Sequence, residues 1–328
     1  MQNLENILSK YFWPEDPIIV GCSTGPDSMY LVYKILETKY AKNLVACYFN
    51  HKFRPEADQE EIWLEKLWEE KWFKVEIADA DIRAIRDRLY PSKWLEELAR
   101  EKRYAFFWAI CEIYETKKIL TAHHLDDRIE TFFFNLARGT KLTGLINMTE
   151  ESGWIIRPLL WLTKLEIISY LKENKLEYKI DETNFDTEIT RNKLRHDIIP
   201  QFEKVNSNYK KNIANTMQYF EEVKEHFQIE VDKFLEEQGI KIFNSEKYRI
   251  NTLDIYWYFY ITDFNNLSQL LQKEIIRHTF YISNNKSTIW LSEWNINEVI
   301  KFINGKNNKT IKEIHELKMR KENEIIIF

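Results

Sequence analysis

The chain has 328 residues, 44% hydrophobic and 30% charged, with a net charge of −5. That length favours two domains over one, and near-average charged and apolar content excludes disordered and fibrous classes. Cys22, Cys47 and Cys111 are an odd number without C-x-x-C spacing, which argues against a disulfide scaffold, a zinc ribbon or an iron–sulfur site and fits a reducing cytoplasm. The first sixteen residues carry acids where a signal peptide needs a basic start, and no stretch approaches the roughly 18–20 apolar residues of a membrane span. The expectation is a cytoplasmic protein with no membrane partner. The acidic excess lies wholly before Val205, with 30 basic against 35 acidic residues; 17 of each follow. From Val299 onward seven Lys/Arg face four Glu, a mildly basic tail that could touch a polyanion but reads more simply as solvated surface.

In chain order, short β-branched runs alternate with longer helical patterns, the signature of a parallel sheet covered by helices. Pro17–Cys22 reads as a buried strand, followed by a tight loop and a helix from Asp27 to Tyr40. Leu44–Phe49 is a second strand, Glu56–Trp72 a helix, and Lys74–Ala78 a third strand. A long helix runs from Ser92, its expected cap, to Glu115; Lys118–Ala122 is a fourth strand, leading into a helix over Leu125–Ala137. The fold class expected is therefore α/β, a doubly wound parallel sheet. Beyond Pro200 the pattern turns helix-rich, over Tyr209–Gln238, Thr252–Ile282 and Ser292–Asn304, with a short β-like end at Glu324–Phe328. The expected domains are 1–205 and a smaller, mainly helical 206–328, with the boundary between Pro200 and Lys211.

Three segments carry chemistry. The first is Gly21-Cys22-Ser23-Thr24-Gly25-Pro26-Asp27-Ser28, between a strand and a helix. Its backbone N–H groups and the helix dipole form an anion site suited to phosphates, to which Ser23 and Ser28 can add hydroxyls. It lacks the lysine of a Walker loop and the glycines of the dinucleotide fingerprint. Asp27 points instead to a divalent cation between carboxylate and phosphate; mere capping is the simpler alternative. The second segment, Thr121–Thr131, contains His123, His124, Asp126, Asp127 and Glu130 at the carboxyl end of the fourth strand, the edge where open α/β sheets bind ligands. Asp126 and Glu130 share a helix face, and with Asp127 they offer hard oxygens for Mg²⁺ or for a substrate amine. Acids in a first helical turn are also favoured by the macrodipole alone. The third segment is Asp181-Glu182-Thr183-Asn184 with Arg191 and Arg195 downstream, spaced to grip phosphates or to pair with acids. Asn50–Glu56 and Glu96–Tyr104 are weaker signals on their own.

In this order the segments resemble the tRNA(Ile)-lysidine synthetase family of PP-loop ATP pyrophosphatases. The family's S-G-G-x-D-S loop is similar to Ser23–Ser28, its N-H-x-x-R-x-E to Asn50–Glu56, its E-x-x-A-R-x-x-R-Y to Glu96–Tyr104, and its G-H-H-x-D-D-x-x-E-T to Ala122–Thr131. R-G-x-x-x-x-G-L, R-P-L-L, D-x-x-N and R-N-x-x-R match Arg138–Leu145, Arg157–Leu160, Asp181–Asn184 and Arg191–Arg195. The resemblance covers the first 200 residues or so. Thr24 and Ala122 depart from it, each replacing a glycine; a threonine at φ > 0 is strained, so either the loop keeps a negative φ there or ATP affinity suffers.

The resemblance implies ATP and Mg²⁺, a CAU-anticodon tRNA(Ile) and free L-lysine, joined through an adenylated wobble cytidine. By that analogy Ser23, Thr24, Gly25, Pro26, Asp27, Ser28 and His51 serve ATP, and Asp27, Asp126 and Asp127 serve the metal. Asp27, Asp126, Asp127 and Glu130 are the catalytic candidates, and Arg191 and Arg195 contact tRNA. The chain is compatible with a homodimer. The rivals are a tRNA thiolase of the same superfamily, which would want paired cysteines, an amide-forming synthetase acting on a small molecule, and an RNA-binding relative without ATP turnover.

Overall fold

The computed structural model describes residues 4–54, 56–71, 73–146, 148–179, 192–238, 258–283, 291–307, 310–315 and 317–328. Asp181, Glu182, Asn184 and Arg191 therefore lie outside the described residues. The chain divides into two compact units, Met1–Gln218 and Tyr219–Phe328.

In the first unit, strands β1 (Ile18–Cys22), β2 (Leu44–Asn50), β3 (Lys74–Asp79), β4 (Ile119–Leu120), β5 (Glu151–Ser152) and β6 (Ile155–Ile156) form one sheet in the order β3-β2-β1-β4-β6-β5. Every neighbouring pair is parallel except the edge hairpin β5–β6. Helices α1 (Leu4–Leu8), α2 (Pro26–Leu36), α3 (Glu56–Lys71), α4 (Ile82–Leu89), α5 (Leu95–Ile113), α6 (Leu125–Ala137), α7 (Leu142–Leu145) and α8 (Lys164–Glu173) accompany it, followed by helical segments at Leu194–Ile198 and Gln201–Val205 and the first residues of the Tyr209–Glu237 helix.

Strands β1, β2 and β4 are buried on both faces, which is why they read as continuous apolar runs, whereas β3 is half-buried and β5 exposed. Ile18, Val20 and Cys22 of β1 and Leu44, Ala46 and Tyr48 of β2 share one core with Met29, Leu31, Val32 and Ile35 of α2 and with Ile167 and Leu171 of α8. Their alternates, Ile19, Val45 and Cys47, meet Phe107, Ile110 and Cys111 of α5 on the opposite face. Gly21 is required there, since a Cβ would lie 2.9 Å from the Phe107 ring. The doubly wound expectation is thus met, and its consequence is topological. From β1 the chain winds outward through β2 to β3, then returns to place β4 on the other side of β1. The loops leaving β1 and β4 flank the switch point, where such sheets bind ligands.

Several local expectations are corrected. The fourth strand is two residues rather than five. Ser92 does not cap α5: it lies in a turn closed by Lys93 N–H donating to the Tyr90 carbonyl (3.0 Å), and Trp94 holds the N-cap position. An unforeseen helix, α4, precedes that turn, capped by Asp81 accepting from Ala84 N–H (2.9 Å).

The second unit packs helices over Ile261–Asn265, Gln269–Ser283 and Glu293–Asn304, with residues from 219 onward of the long Tyr209–Glu237 helix, against an antiparallel sheet. Its strands β7 (Tyr258–Tyr260), β8 (Thr310–Ile314), β9 (Leu317–Glu322) and β10 (Ile325–Ile327) run in the order β7-β10-β9-β8. Phe259, Phe264, Ile275, Phe280, Ile296, Val299 and Met319 form its core. The basic tail is largely paired within this unit: Lys301 and Lys312 contact Glu298, Arg320 contacts Glu322, and buried Lys321 donates to the Ile303 carbonyl (2.6 Å), capping the Glu293–Asn304 helix.

Candidate active site

The loop after β1 is closed by Ser28, whose hydroxyl accepts from Ser23 N–H (3.1 Å) and donates to the Gly25 carbonyl (3.0 Å). Gly25 is extended (φ −68°, ψ 164°) and Pro26 opens α2, so Asp27 sits in the first helical turn. Thr24 adopts φ +60°, which settles the backbone alternative: the threonine occupies the left-handed region.

The loop after β4 is fixed from the neighbouring strand. His124 bridges Leu159 in parallel fashion, extending the β4–β6 pairing, and Leu125 N–H donates to the Leu162 carbonyl (2.8 Å). The Arg157–Leu160 segment thereby sets the start of α6. His124 is buried and the carboxylates gather round it: Asp27 Oδ1 lies 3.6 Å and Asp127 Oδ2 3.5 Å from Nε2, and Asp126 Oδ2 lies 3.9 Å from Nδ1. Four of the sequence candidates, Asp27, Asp126, Asp127 and, one turn further along α6, Glu130, thus belong to one continuous network.

Basic residues from distant parts of the unit hold these acids. Lys164 Nζ grips both oxygens of Asp27 (2.6 Å each), while its backbone N–H donates to Asp126 Oδ2 (2.8 Å). Lys210 pairs with the other Asp126 oxygen. Arg195 forks onto Glu130, Nε to Oε1 at 2.5 Å and Nη2 to Oε2 at 2.8 Å, with Asp127 Oδ1 3.6 Å away. Burial pushes the Asp126 carboxyl up, but Lys210 and the Lys164 N–H outweigh it and leave it below the usual carboxylate range. At Glu130 burial wins over Arg195 and the carboxyl rises.

The imidazoles near this network face positive charge. Burial, reinforced by Arg103, lowers His51 to about 4; burial, with Arg157, Arg100 and Arg103 adding to it against Asp127, lowers His123 to about 4. Both are neutral at pH 7. The His51 ring packs on Phe49 (4.9 Å between centroids) and Phe53 (5.4 Å). Arg157 donates through Nη1 to the Thr149 carbonyl (3.1 Å), and its buried Nε has no partner among the described residues. Asp127 of α6 and the cations Arg157, Arg100 and Arg103 thus act on His123 with opposite signs.

Among the described residues no group of three His, Cys, Asp or Glu is spaced to hold a metal ion. Mg²⁺ commonly takes one or two carboxylates plus substrate phosphates rather than a complete protein cage. Asp27 and Asp127, hard donors 3.6 and 3.5 Å from His124 Nε2, fit an ion that arrives with a polyphosphate.

Lys164, Lys210 and Glu60 carry no signal of their own in the sequence. Thr163-x-x-Glu166 is a capping box and could have marked the helix that Lys164 opens, with Thr163 Oγ1 accepting from Glu166 N–H (3.2 Å) and Glu166 accepting from Thr163 N–H (2.7 Å). Its position beside Asp27, 137 residues away in sequence, could not be read from spacing.

The fold and the first loop define an open α/β protein with a strand–loop–helix at its switch point. The chain belongs to the PP-loop domain family, whose model matches residues 1–202. It is 32% identical to the tRNA(Ile)-lysidine synthase of Bacteroides thetaiotaomicron over 74% of this chain and 55% of that protein, and 31% identical to that of Petrotoga mobilis over 67% and 72%. The first of these curated relatives are matched over about half of their own length. Among solved structures, the U34-tRNA thiolase NcsA from Methanococcus maripaludis with its [4Fe-4S] cluster superposes with a TM-score of 0.55 at 18% identity, covering 68% of this chain and 78% of that one, a likeness of fold.

Proposed function

We propose that this chain is a tRNA-modifying ligase that adenylates the wobble cytidine of a CAU-anticodon tRNA(Ile) with ATP and then joins L-lysine to it. The observation that carries the reading is the convergence of the first loop and the acidic start of α6 on one switch point, with Asp27 and Asp127 both within 3.6 Å of His124 Nε2. The curated relatives named above and the ordered motifs support the same assignment.

In the first step the cytidine O2 attacks the α-phosphorus of ATP, and the bond to the bridging oxygen breaks to release pyrophosphate. The N–H groups of Gly25, Asp27 and Ser28 at the N-terminus of α2 would face that leaving group, where fixed dipoles stabilise developing charge. Asp27 and Asp127 would hold Mg²⁺, which when bound neutralises polyphosphate charge. In the second step the lysine amine attacks C2, the C2–O bond breaks, and AMP leaves. The attacking amine must lose a proton. Glu130 and Asp126 are the groups assigned to lysine: Asp126, held ionised, suits an ammonium, and Glu130, whose carboxyl burial raises, suits proton uptake. Arg195 orients Glu130, and in this proposal it reaches tRNA phosphate only by exchanging that partner. Lys164 stands where a cation between Asp27 and phosphate would act, and it changes partners when nucleotide binds.

The test is incorporation of labelled L-lysine into an unmodified CAU-anticodon tRNA(Ile) transcript with ATP and Mg²⁺, beside the matching tRNA(Met). Incorporation into the isoleucine tRNA alone is expected. No incorporation with tRNA binding intact would move the reading to a different nucleophile or to an RNA-binding relative.

A further inference from the structure

The first loop contains a conformation its sequence should disfavour. A β-branched residue at positive φ is strained, because its Cβ crowds the backbone, and glycine is the residue that normally avoids this. Thr24 nevertheless sits at φ +60° and is 1% exposed. Its hydroxyl contacts the Ser23 carbonyl (2.6 Å) and Glu60 Oε2 (2.9 Å), the second across 36 residues of sequence.

Glu60 is itself 5% exposed and is held from three sides. Arg54 Nη2 donates to Oε1 (2.8 Å), Tyr48 OH donates to Oε2 (3.1 Å), and the Thr24 hydroxyl completes the set. On the far side of the turn, Lys179 N–H donates to the Thr24 carbonyl (2.9 Å). A buried carboxylate without donors is strongly disfavoured, so each donor it recruits is held in place. The turn that leads into the N–H groups of Gly25, Asp27 and Ser28 is therefore fixed through the threonine side chain, a contact glycine cannot make.

We propose that Glu60 is a positioning residue for the phosphate loop: by accepting from the Thr24 hydroxyl it holds a left-handed threonine in the turn that nucleotide binding requires. This inference rests on the ATP-dependent reading above. It makes the Thr24 departure from the family pattern a substitution with its own compensation. The side chain adds strain, and the hydrogen bond offsets it while leaving the loop with fewer alternative conformations than glycine would.

The test is a series at residue 24 in the full chain, read by ATP affinity in calorimetry, ATP KM and kcat, and hydrogen exchange of residues 23–28 and 179 without nucleotide. Thr24→Ser keeps the hydroxyl and loses little. Thr24→Val keeps the β-branch and loses the hydrogen bond to a charged group; its ATP Kd and KM rise about tenfold or more, and its loop amides lose protection. Thr24→Gly, which needs no clamp, falls between them. The order Ser, Gly, Val distinguishes a clamp from general damage, since a purely structural role would rank glycine last. Should Thr24→Val not fold, Glu60→Gln in the wild-type and Thr24→Gly backgrounds gives the same answer, with a larger ATP KM effect expected in the first. Equal ATP affinity and equal protection in the Ser and Val variants would overturn the proposal. Exchange reads the clamp whether or not ATP binds, so a wild-type chain that ignores ATP while only the Val variant loses protection would sink the functional reading and leave the clamp standing.

Discussion

The charged groups of the two units are arranged on opposite plans. Around the first loop and α6 the ion pairs join residues far apart in sequence: Lys164 to Asp27 across 137 positions, Lys210 to Asp126 across 84, Arg195 to Glu130 across 65. In the second unit the pairs span 20 positions or fewer among the described residues: Arg277 with Glu274 and Lys301 with Glu298 at i,i+3, Lys312 with Glu298 across 14, and Arg277 and Lys273 with Glu293 across 16 and 20. The exposed local pairs among them, such as Lys301 with Glu298, trim surface charge and contribute little. Long-range pairs among half-buried acids instead concentrate negative charge in one place and hold it there with cations that a ligand can displace, an arrangement expected of a site rather than of a scaffold.

Substitutions should separate the two plans. Asp27→Asn removes the carboxylate beside the loop and the partner of Lys164; pyrophosphate release should fall by about 10³-fold or more with the melting temperature little changed. Arg195→Ala leaves Glu130 buried without its fork and should lower lysine transfer by about 10²-fold, with Arg195→Lys recovering only part, since an ammonium cannot reproduce two parallel hydrogen bonds. Lys321→Met tests the second unit: two helix-end carbonyls, those of Ile303 and Gly305, lose their donor. A stability loss of about 1–3 kcal/mol is expected, with ATP affinity unchanged.

A pH titration reaches the cationic side of the first unit. His51 binds its proton near pH 6.5 when unfolded but only near 4 when folded, so its contribution is fully present above pH 6.5 and is lost as the pH falls toward 4. The loss should be on the order of 1–2 kcal/mol, allowing for partial solvent access, and His51→Gln should flatten that part of the stability profile. The smallest effect is expected at Glu298→Gln, which weakens an exposed local pair with Lys301 and a half-exposed one with Lys312 and should leave both melting temperature and ATP turnover near wild-type values.

The sequence carried the parallel sheet because strands buried on both faces leave unbroken runs such as Ile18–Cys22, and it placed Asp27, Asp126 and Asp127 because those acids follow directly from strand ends. Shorter features left no such trace. The two-residue strands β5 and β6 have no periodicity to detect, and α4 is so rich in arginine that its Ile82, Ile85 and Leu89 spacing was hidden. In the second unit the alternation of β9, with Leu317, Met319 and Lys321 inward, ends on a buried lysine and so read as a basic tail. Arg195 was legible as one of the site's cations, but the two lysines were not, for another reason. Lys164 and Lys210 have unremarkable neighbours, and only the folding of the sheet brings them to Asp27 and Asp126.

The most direct test of the central claim is to follow pyrophosphate and AMP separately from labelled ATP, with tRNA present and L-lysine withheld and then added. The account predicts pyrophosphate release only with the CAU-anticodon tRNA(Ile), little AMP until lysine arrives, and then one AMP for each lysine joined. Release of ADP, or AMP formation that needs neither tRNA nor lysine, would contradict it.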